Sequence, residues 1–395
     1  MGALSTVSLA IDGGSPVRGP ENPLPAVFPR DIPAAARPLV NEVLDSGFTV
    51  NMTGRFERLF AEACGMRHAL CVCNCTTALH AATAAYRLGP GDDVVVSGVT
   101  DFGSVSCILW QGARPVFADV DPTTGNMTAA ALAAALTPKT KAVIAVHFWG
   151  LVCDLAPILE VARAHDLTVI EDCCQTPLAT YRGLPVGSLG DCGCYSFDGE
   201  KHLSTDVGGA LVSDDGDLIE RARRFAIARG GVPEPGYGRR HVELGQNYSY
   251  SQMNAAVGIA QLETLPAQNA RRRERAALLT RLVSDIPGVH GPPVLPHTEP
   301  IYWLYFLRFD LAQFRVGLDE LAAALTAEGL PGGTARYYLV PDSHTFLENR
   351  DLSHVPNAVG LLNSAYRWPW TDRYTEADVA DMAGMVRKVA AAYRR

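Results

Sequence analysis

The sequence predicts an α/β fold with a mainly parallel sheet in a large domain, followed by a smaller α+β domain at the C-terminus. Three observations lead there. Residues 129 to 170 alternate helix, strand and helix (AAALAAAL, KAVIAVHFWG, LAPILEVARAHD), the succession that βα units of a parallel, doubly wound sheet produce. The apolar run LTVI ends on two acids, Glu171 and Asp172, and the carboxyl ends of strands are where open α/β sheets bind ligands. The chain has 395 residues, enough for a large core and a second domain.

Composition narrows the class. The hydrophobic fraction of 48% and charged fraction of 19% describe an ordinary soluble globular protein, and a cytoplasmic one is expected from the cysteines below. A net charge of -8 and a pI near 5.7 give no electrostatic reason to bind nucleic acid or an anionic membrane. MGALSTVSLAIDGG lacks the basic flank and apolar core of a signal peptide. No run approaches the roughly 18 apolar residues that span a bilayer. MGALST does fit the loose myristoylation pattern, which is short and often matched by chance. Of the ten cysteines, Cys71, Cys73 and Cys75 alternate along an apolar run and would share one face of a strand. No CxxC pair occurs, so the thiols read as reduced and buried, with no metal expected.

Residues 1–50 read as an arm and a first helix. Gly19-Pro20, Asn22-Pro23 and Pro29-Arg30 interrupt the arm before the amphipathic pattern Ala34, Leu39, Val40, Val43, Leu44. Such arms often lie across a partner subunit. Residues 51–284 read as the large domain with its connecting helix. FERLFAEACG closes on a glycine cap signal, HALCVCN is a short strand, and Asn74-Cys75-Thr76-Thr77 leads into the helix ALHAATAAYRLG. A strand, a threonine-bearing turn and a helix N-terminus make an anion site, because unpaired N–H groups point at the ligand. Thr76 and Thr77 are therefore candidate phosphate donors, though a threonine there also reads as a plain N-cap. GPGDDVVVSG and ARPVFADVDP are strands about a short helix, and His147 at a strand end reads as structural. DLIERARRFAIARG is a basic helix whose charges read as a solvated face. LPAQNARRRERAALLTRLVSDI is a long connecting helix. Residues 285–395 then hold the strand YWLYFLRFD, the helix LDELAAALTAEG and a C-terminal helix. Tyr302, Trp303, Tyr305, Tyr337 and Tyr338 there suit either a core or the wall of a polar-ring site.

The stretch from Val169 to Val212 carries the chemistry. It holds the acid Asp172, the short strand GCYSF ending at Ser196 and Phe197, a lone Lys201, and Gly208-Gly209-Ala210 before another strand. An acid at a strand end and a lysine one supersecondary unit later suit pyridoxal 5′-phosphate (PLP), which needs a lysine for its aldehyde, an acid for its ring nitrogen and donors for its phosphate.

These residues resemble the DegT/DnrJ/EryC1/StrS family of PLP-dependent sugar and cyclitol aminotransferases. The matching runs are EDxxQ from Glu171 to Gln175, GxxxGSxGDxGxxSF ending at Phe197, and SFxxxKxL with its following GGA. Corresponding matches extend from about Ile11 to Asp310. The resemblance implies PLP-dependent transferase fold type I, the aspartate-aminotransferase architecture, in a homodimer with shared active sites. It implies that Lys201 forms the Schiff base and then moves the proton, and that Asp172 keeps the ring nitrogen protonated. Gln175 would meet the 3′-oxygen or the ring edge. Thr76, Thr77 and Ser196 would anchor the phosphate together with Asn247 of the partner subunit. The implied reaction moves an amino group from L-glutamine or L-glutamate to a keto-sugar or keto-cyclitol, as in aminoglycoside or other natural-product biosynthesis.

Three departures qualify the match. A gapless alignment puts Asp101 where relatives stack an aromatic ring on the cofactor, with Phe102 one residue later; an acid stacks poorly, so Phe102 is the preferred candidate. Cys75 replaces the usual glycine. Ser249 stands where relatives acting on nucleotide sugars carry arginine, which favours a cyclitol or unactivated sugar. A sugar dehydratase on this fold would carry histidine in place of Lys201, and a catalytically silent relative would fail to bind PLP.

Overall fold

The computed structural model describes residues 8–344, 347 and 351–395, so the myristoylation-like MGALST run lies outside the described residues. The central element is a seven-stranded sheet in the order β1 (His68–Val72), β9 (Gly209–Ser213), β8 (Cys192–Ser196), β5 (Thr168–Asp172), β4 (Thr140–Val146), β2 (Asp93–Ser97), β3 (Arg114–Ala118). Strands β8, β5, β4, β2 and β3 run parallel, while β9 is antiparallel to both its neighbours. DVVVS and the core of TKAVIAV are buried because helices cover both faces, as parallel sheets require. One face packs under α1 (Ala36–Asp45), α2 (Met52–Ala63), α5 (Ala129–Ala135), α6 (Leu155–Ala164) and the front of α8 (Gln252–Val283) around Phe56, Phe60, Val143 and Tyr195. The other packs under α3 (Cys75–Ala85), α4 (Gly103–Trp110) and α7 (Gly216–Ala226) around Leu79, Val96, Ile108 and Leu211.

A second apolar cluster unit surrounds a four-stranded antiparallel sheet, β12 (Val289–His290), β14 (Leu304–Phe309), β16 (Ala365–Pro369) and β15 (Gly333–Thr334). It is flanked by α9 (Leu318–Ala327), α11 (Pro356–Leu362) and α12 (Glu376–Tyr393), while α10 (Val340–Ser343) puts Val340 into the core of the large sheet beside Val96 and Ile108. Short pairings complete the fold: β6 (Thr180–Tyr181) lies between β7 (Leu184–Pro185) and β13 (Thr298–Glu299), and β10 (Gly231–Glu234) forms an exposed hairpin with β11 (Gly238–His241). Among the described residues, no helix is long and apolar enough to cross a membrane.

Several sequence expectations change here. The connecting helix begins not near Leu265 but at Gln252, and runs 32 residues straight through Pro266. An interior proline removes one helix bond, but Ala256, Ile259, Leu265, Ala276, Leu279 and Val283 are buried along its length, and that packing outweighs the loss. The three alternating cysteines do not share a strand: β1 stops at Val72, Cys73 lies in the turn and Cys75 opens α3. All ten cysteines are free thiols. The charges of α7 are not simply solvated, since Arg223 pairs with Glu57 at 3.1 Å, Arg224 with Glu243 at 2.6 Å, and Arg221 Nε donates to the Ala85 carbonyl. The first part of the arm packs on the chain's own C-terminal helices. Leu9 and Leu24 enter that core, the fully buried Glu328 accepts from the Ala10 and Val17 amides and from Lys388, and Arg18 bonds Asp378 and Asp381.

Candidate active site

The register of the sheet puts Val146, Asp172 and Cys194 side by side at the carboxyl ends of β4, β5 and β8. Successive side chains on a strand face opposite ways, so Glu171 and Asp172 serve different networks. Glu171 faces the loop before β8. One oxygen accepts the Leu189 and Gly190 amides at 2.8 and 2.6 Å, and the other accepts the Gly187 amide at 2.7 Å and His147 Nε2 at 3.1 Å. His147 Nδ1 accepts from the Cys153 amide at 3.1 Å, so the ring proton sits on Nε2 and points at Glu171. Cys173 joins these two within 4.8 Å, but every nitrogen of His147 and both oxygens of Glu171 are already engaged. The cluster is a fastening between β5 and the loop that leads into β8.

Asp172 faces the other way and is 1% exposed. Its Oδ2 accepts from Ser104 Oγ at 2.7 Å, its Oδ1 from the Cys174 amide at 3.0 Å, and Cys75 Sγ lies 4.0 Å from Oδ1. Such donors replace the water a buried charge has lost. Lys201 belongs to the turn after β8. Its Nζ stands 3.6 Å from the centroid of the Trp303 ring and has no hydrogen bond or ion pair among the described residues. The Trp303 indole N–H donates to the Glu200 carbonyl at 3.1 Å, which ties the ring to the turn that carries the lysine. The neighbouring Cys75 pulls the Cys174 pKa down, but burial and the Asp172 charge outweigh this and raise it, with Lys201 acting in the lowering sense.

The candidate phosphate donors separate. Asn74, not a threonine, caps α3: its Oδ1 accepts the Thr77 amide at 2.9 Å, while Thr77 Oγ1 accepts from the Asn74 amide and donates to the Asn74 carbonyl. The Thr77 hydroxyl is therefore spent on the cap. Thr76, half-buried in the first turn, has a hydroxyl with no protein partner among the described residues. Two glycines make this turn approachable. A Cβ on Gly103 would lie 2.8 Å from Thr76 Oγ1, and one on Gly209 would lie 2.4 Å from the Asn74 carbonyl carbon. The GGA run thus exists to let β9 pass against the start of α3.

Ser196 is buried at the end of β8; its Oγ accepts the Asp198 amide at 3.3 Å, and its own proton remains to give. Gln175 is buried, and its Oε1 accepts the Trp149 amide at 2.5 Å, so its NH₂ is the part left for a ligand. Asn247 is exposed, with Oδ1 accepting from Ser249 Oγ at 2.6 Å. Asp101 is exposed and accepts the Gly103 amide at 2.9 Å, so its carboxylate closes the turn into α4. Phe102, half-buried, packs its ring 4.2 Å from that of His344. The aromatic group divides. Tyr302, Tyr305 and Tyr338 are core, whereas Trp303 is half-buried at the lysine and Tyr337 is 58% exposed. Sequence reasoning missed Ser104, whose only signal was a hydroxyl in the first turn of a mostly apolar helix.

A buried acid, an amine with no hydrogen bond or ion pair among the described residues, and a helix N-terminus whose Thr76 hydroxyl has none there either make a donor set that fits a phosphorylated pyridine aldehyde. A model of the DegT/DnrJ/EryC1/StrS aminotransferase family matches residues 31–387. The chain is 35% identical over 350 residues to GDP-perosamine synthase of Caulobacter vibrioides, covering 87% of this chain and 92% of that one. It is 38% identical over 339 residues to L-glutamine:scyllo-inosose aminotransferase of Streptomyces griseus, covering 81% and 79%. Among solved structures it is similar to DesI, determined in the presence of its TDP-sugar product, with a TM-score of 0.84, 30% identity and coverage of 98% and 97%. The aminotransferase TlmJ of Streptoalloteichus hindustanus gives 0.83, 31%, 94% and 98%. The chain belongs to the DegT/DnrJ/EryC1/StrS aminotransferase family, whose aminotransferases use PLP.

Proposed function

We propose that the chain transfers an amino group from L-glutamine or L-glutamate to a keto-cyclitol or an unactivated keto-sugar, acting in the cytoplasm as a homodimer with shared active sites. The observation that carries the reaction is a buried Asp172 at the carboxyl end of β5 together with a Lys201 amine, in the turn after β8, that lies over the Trp303 ring and has no hydrogen bond or ion pair among the described residues. Bound PLP would supply an aldehyde and an electron-poor ring that accepts the electrons released as a proton leaves the donor carbon. Asp172 would keep the ring nitrogen protonated, and Lys201 Nζ would hold the aldehyde carbon and, as a free amine, move the proton from one carbon to the other. A base placed in this way contributes on the order of 10²–10⁴ in rate. Thr76 and Ser196 would give hydrogen bonds to the phosphate, the Gln175 NH₂ would serve the 3′-oxygen, and Phe102 would meet the ring face. Asn247, exposed on its own chain, would reach the phosphate held by the partner subunit. Residues 285–395, with the first part of the arm docked on them, act as the small domain that shapes the acceptor side.

The acceptor class rests on Ser249. Its hydroxyl donates to Asn247, and a serine offers no cation to a diphosphate. Two relatives named above carry nucleotide sugars in their own descriptions, so the choice is open to direct test. The visible spectrum of the protein with PLP should show a yellow band that L-glutamine or L-glutamate bleaches. The amine-loaded protein should then aminate scyllo-inosose and leave a nucleotide-linked keto-sugar untouched. Amination of only the nucleotide-linked sugar would reverse the acceptor assignment, and a colourless protein would remove the reaction.

A further inference from the structure

Asp172 is held from behind by a chain of hydroxyls that the catalytic reading does not use. Ser104 Oγ lies 2.7 Å from Asp172 Oδ2 and 2.8 Å from Thr100 Oγ1, and each of the three residues is 1% exposed. We propose that Thr100 and Ser104 are positioning residues, a one-way hydroxyl relay that aims Asp172 at the ring nitrogen of the cofactor. The inference rests on the placement of Asp172 opposite that nitrogen.

The direction of the relay follows from donor counting. A carboxylate only accepts, so the single proton of Ser104 is committed to Asp172. Ser104 can then offer Thr100 nothing but a lone pair, and Thr100 must donate. The order is Thr100 O–H to Ser104 Oγ, then Ser104 O–H to Asp172 Oδ2. With Oδ1 held by the Cys174 amide, both oxygens of the acid are tied, and the carboxyl group cannot turn about its last torsion without breaking a bond. Burial makes each bond matter more, because no water stands ready to replace a lost donor.

The far end of the relay is anchored as well. The Thr100 amide donates to the Tyr338 carbonyl at 3.0 Å, and the Val340 amide donates to the Gly98 carbonyl at 3.1 Å. The end of β2 is thereby fastened to the segment between β15 and α11, which also carries the exposed Tyr337. Thr100 thus joins a strand end, a segment of the second cluster unit and, through Ser104, the acid of the site.

The test uses the holoenzyme loaded with PLP carrying ¹⁵N in the ring, and compares Ser104→Ala, Thr100→Val, their double variant and Asp172→Asn. The ring ¹⁵N chemical shift, kcat, KM for L-glutamine and the melting temperature of the cofactor-free proteins are read for each. Asp172→Asn should move the nitrogen signal to its unprotonated position. Ser104→Ala should move it part of the way and lower kcat about tenfold, with KM changed less than about twofold. Thr100→Val should lower kcat about threefold, and the double variant should be no worse than Ser104→Ala, because Thr100 acts only through Ser104. A wild-type nitrogen signal and kcat in Ser104→Ala, beside a displaced signal in Asp172→Asn, would reduce the relay to packing and overturn the proposal. An unmoved signal in Asp172→Asn would overturn the placement of the acid, and the relay with it. If Ser104→Ala does not fold, Ser104→Cys, nearly the same shape with a weaker donor, carries the same comparison.

Discussion

A carboxylate as deeply enclosed as Glu171 is tolerable because three amides and one imidazole answer it. Glu171→Gln would turn an NH₂ toward amides that need an acceptor, leaving at least two donors facing each other. The expected cost is about 2–4 kcal/mol of stability, read as a lower urea midpoint with unchanged slope. Asp172, one residue on, should behave in the opposite way, its replacement by Asn harming chemistry far more than folding. Lys201→Ala should remove the visible band of the PLP-loaded protein and about 10²–10⁴ of the transamination rate, while leaving the melting temperature of the cofactor-free protein near that of wild type. His80 gives a pH-dependent residue effect. Burial between Tyr248 and Gln111 pushes its pKa down to about 4. Below about 6.5 the unfolded chain takes up a proton that folded His80 refuses, so stability falls as pH drops from there toward 4. His80→Gln should flatten that part of the melting temperature against pH curve; an unchanged slope would place the effect elsewhere.

At the scale of elements, the site is a meeting of helix starts with strand ends. α3 begins against β9 at a distance that only glycine permits at Gly209, and α4 begins with Gly103 beside the Thr76 side chain of α3. Gly209→Ala would drive a methyl group into the Asn74 backbone, since backbone cannot swing aside as a side chain can. Loss of about 1–3 kcal/mol of stability is expected, together with weaker PLP binding measured by titration, because the displaced turn carries Thr76. Retained PLP affinity in a stable Gly209→Ala protein would show that the α3 turn does not hold the phosphate. The capping box also explains why two adjacent threonines have different fates. Thr77 stands three residues after Asn74, in reach of its backbone, whereas Thr76 takes no part in the cap.

Across the whole molecule, the arm and α12 enclose the second cluster unit, and Glu328 is the pin. Fully buried, it holds two amides of the arm and Lys388 of α12. Glu328→Ala would strand all three, at about 3–5 kcal/mol, and free the arm for cleavage near Arg18 in limited proteolysis. An arm as resistant as in the wild type would locate its attachment in the apolar contacts of Leu9 and Leu24 instead.

The sequence by itself determined the alternation of strands and helices, the strand end that bears Asp172 and the turn that bears Lys201. These are local facts: apolar periodicity, cap and turn residues, and motifs of fixed spacing are all written within a few residues of where they act. Only the tertiary structure decided that α8 continues through Pro266, since the buried side of that helix is defined by elements distant in the chain. It alone divided Trp303 from the buried tyrosines beside it, and Thr76 from Thr77. Ser104 shows the reason most plainly. Its partner Asp172 is 68 residues away, and a hydroxyl's meaning lies in the atom it faces, which no local pattern encodes.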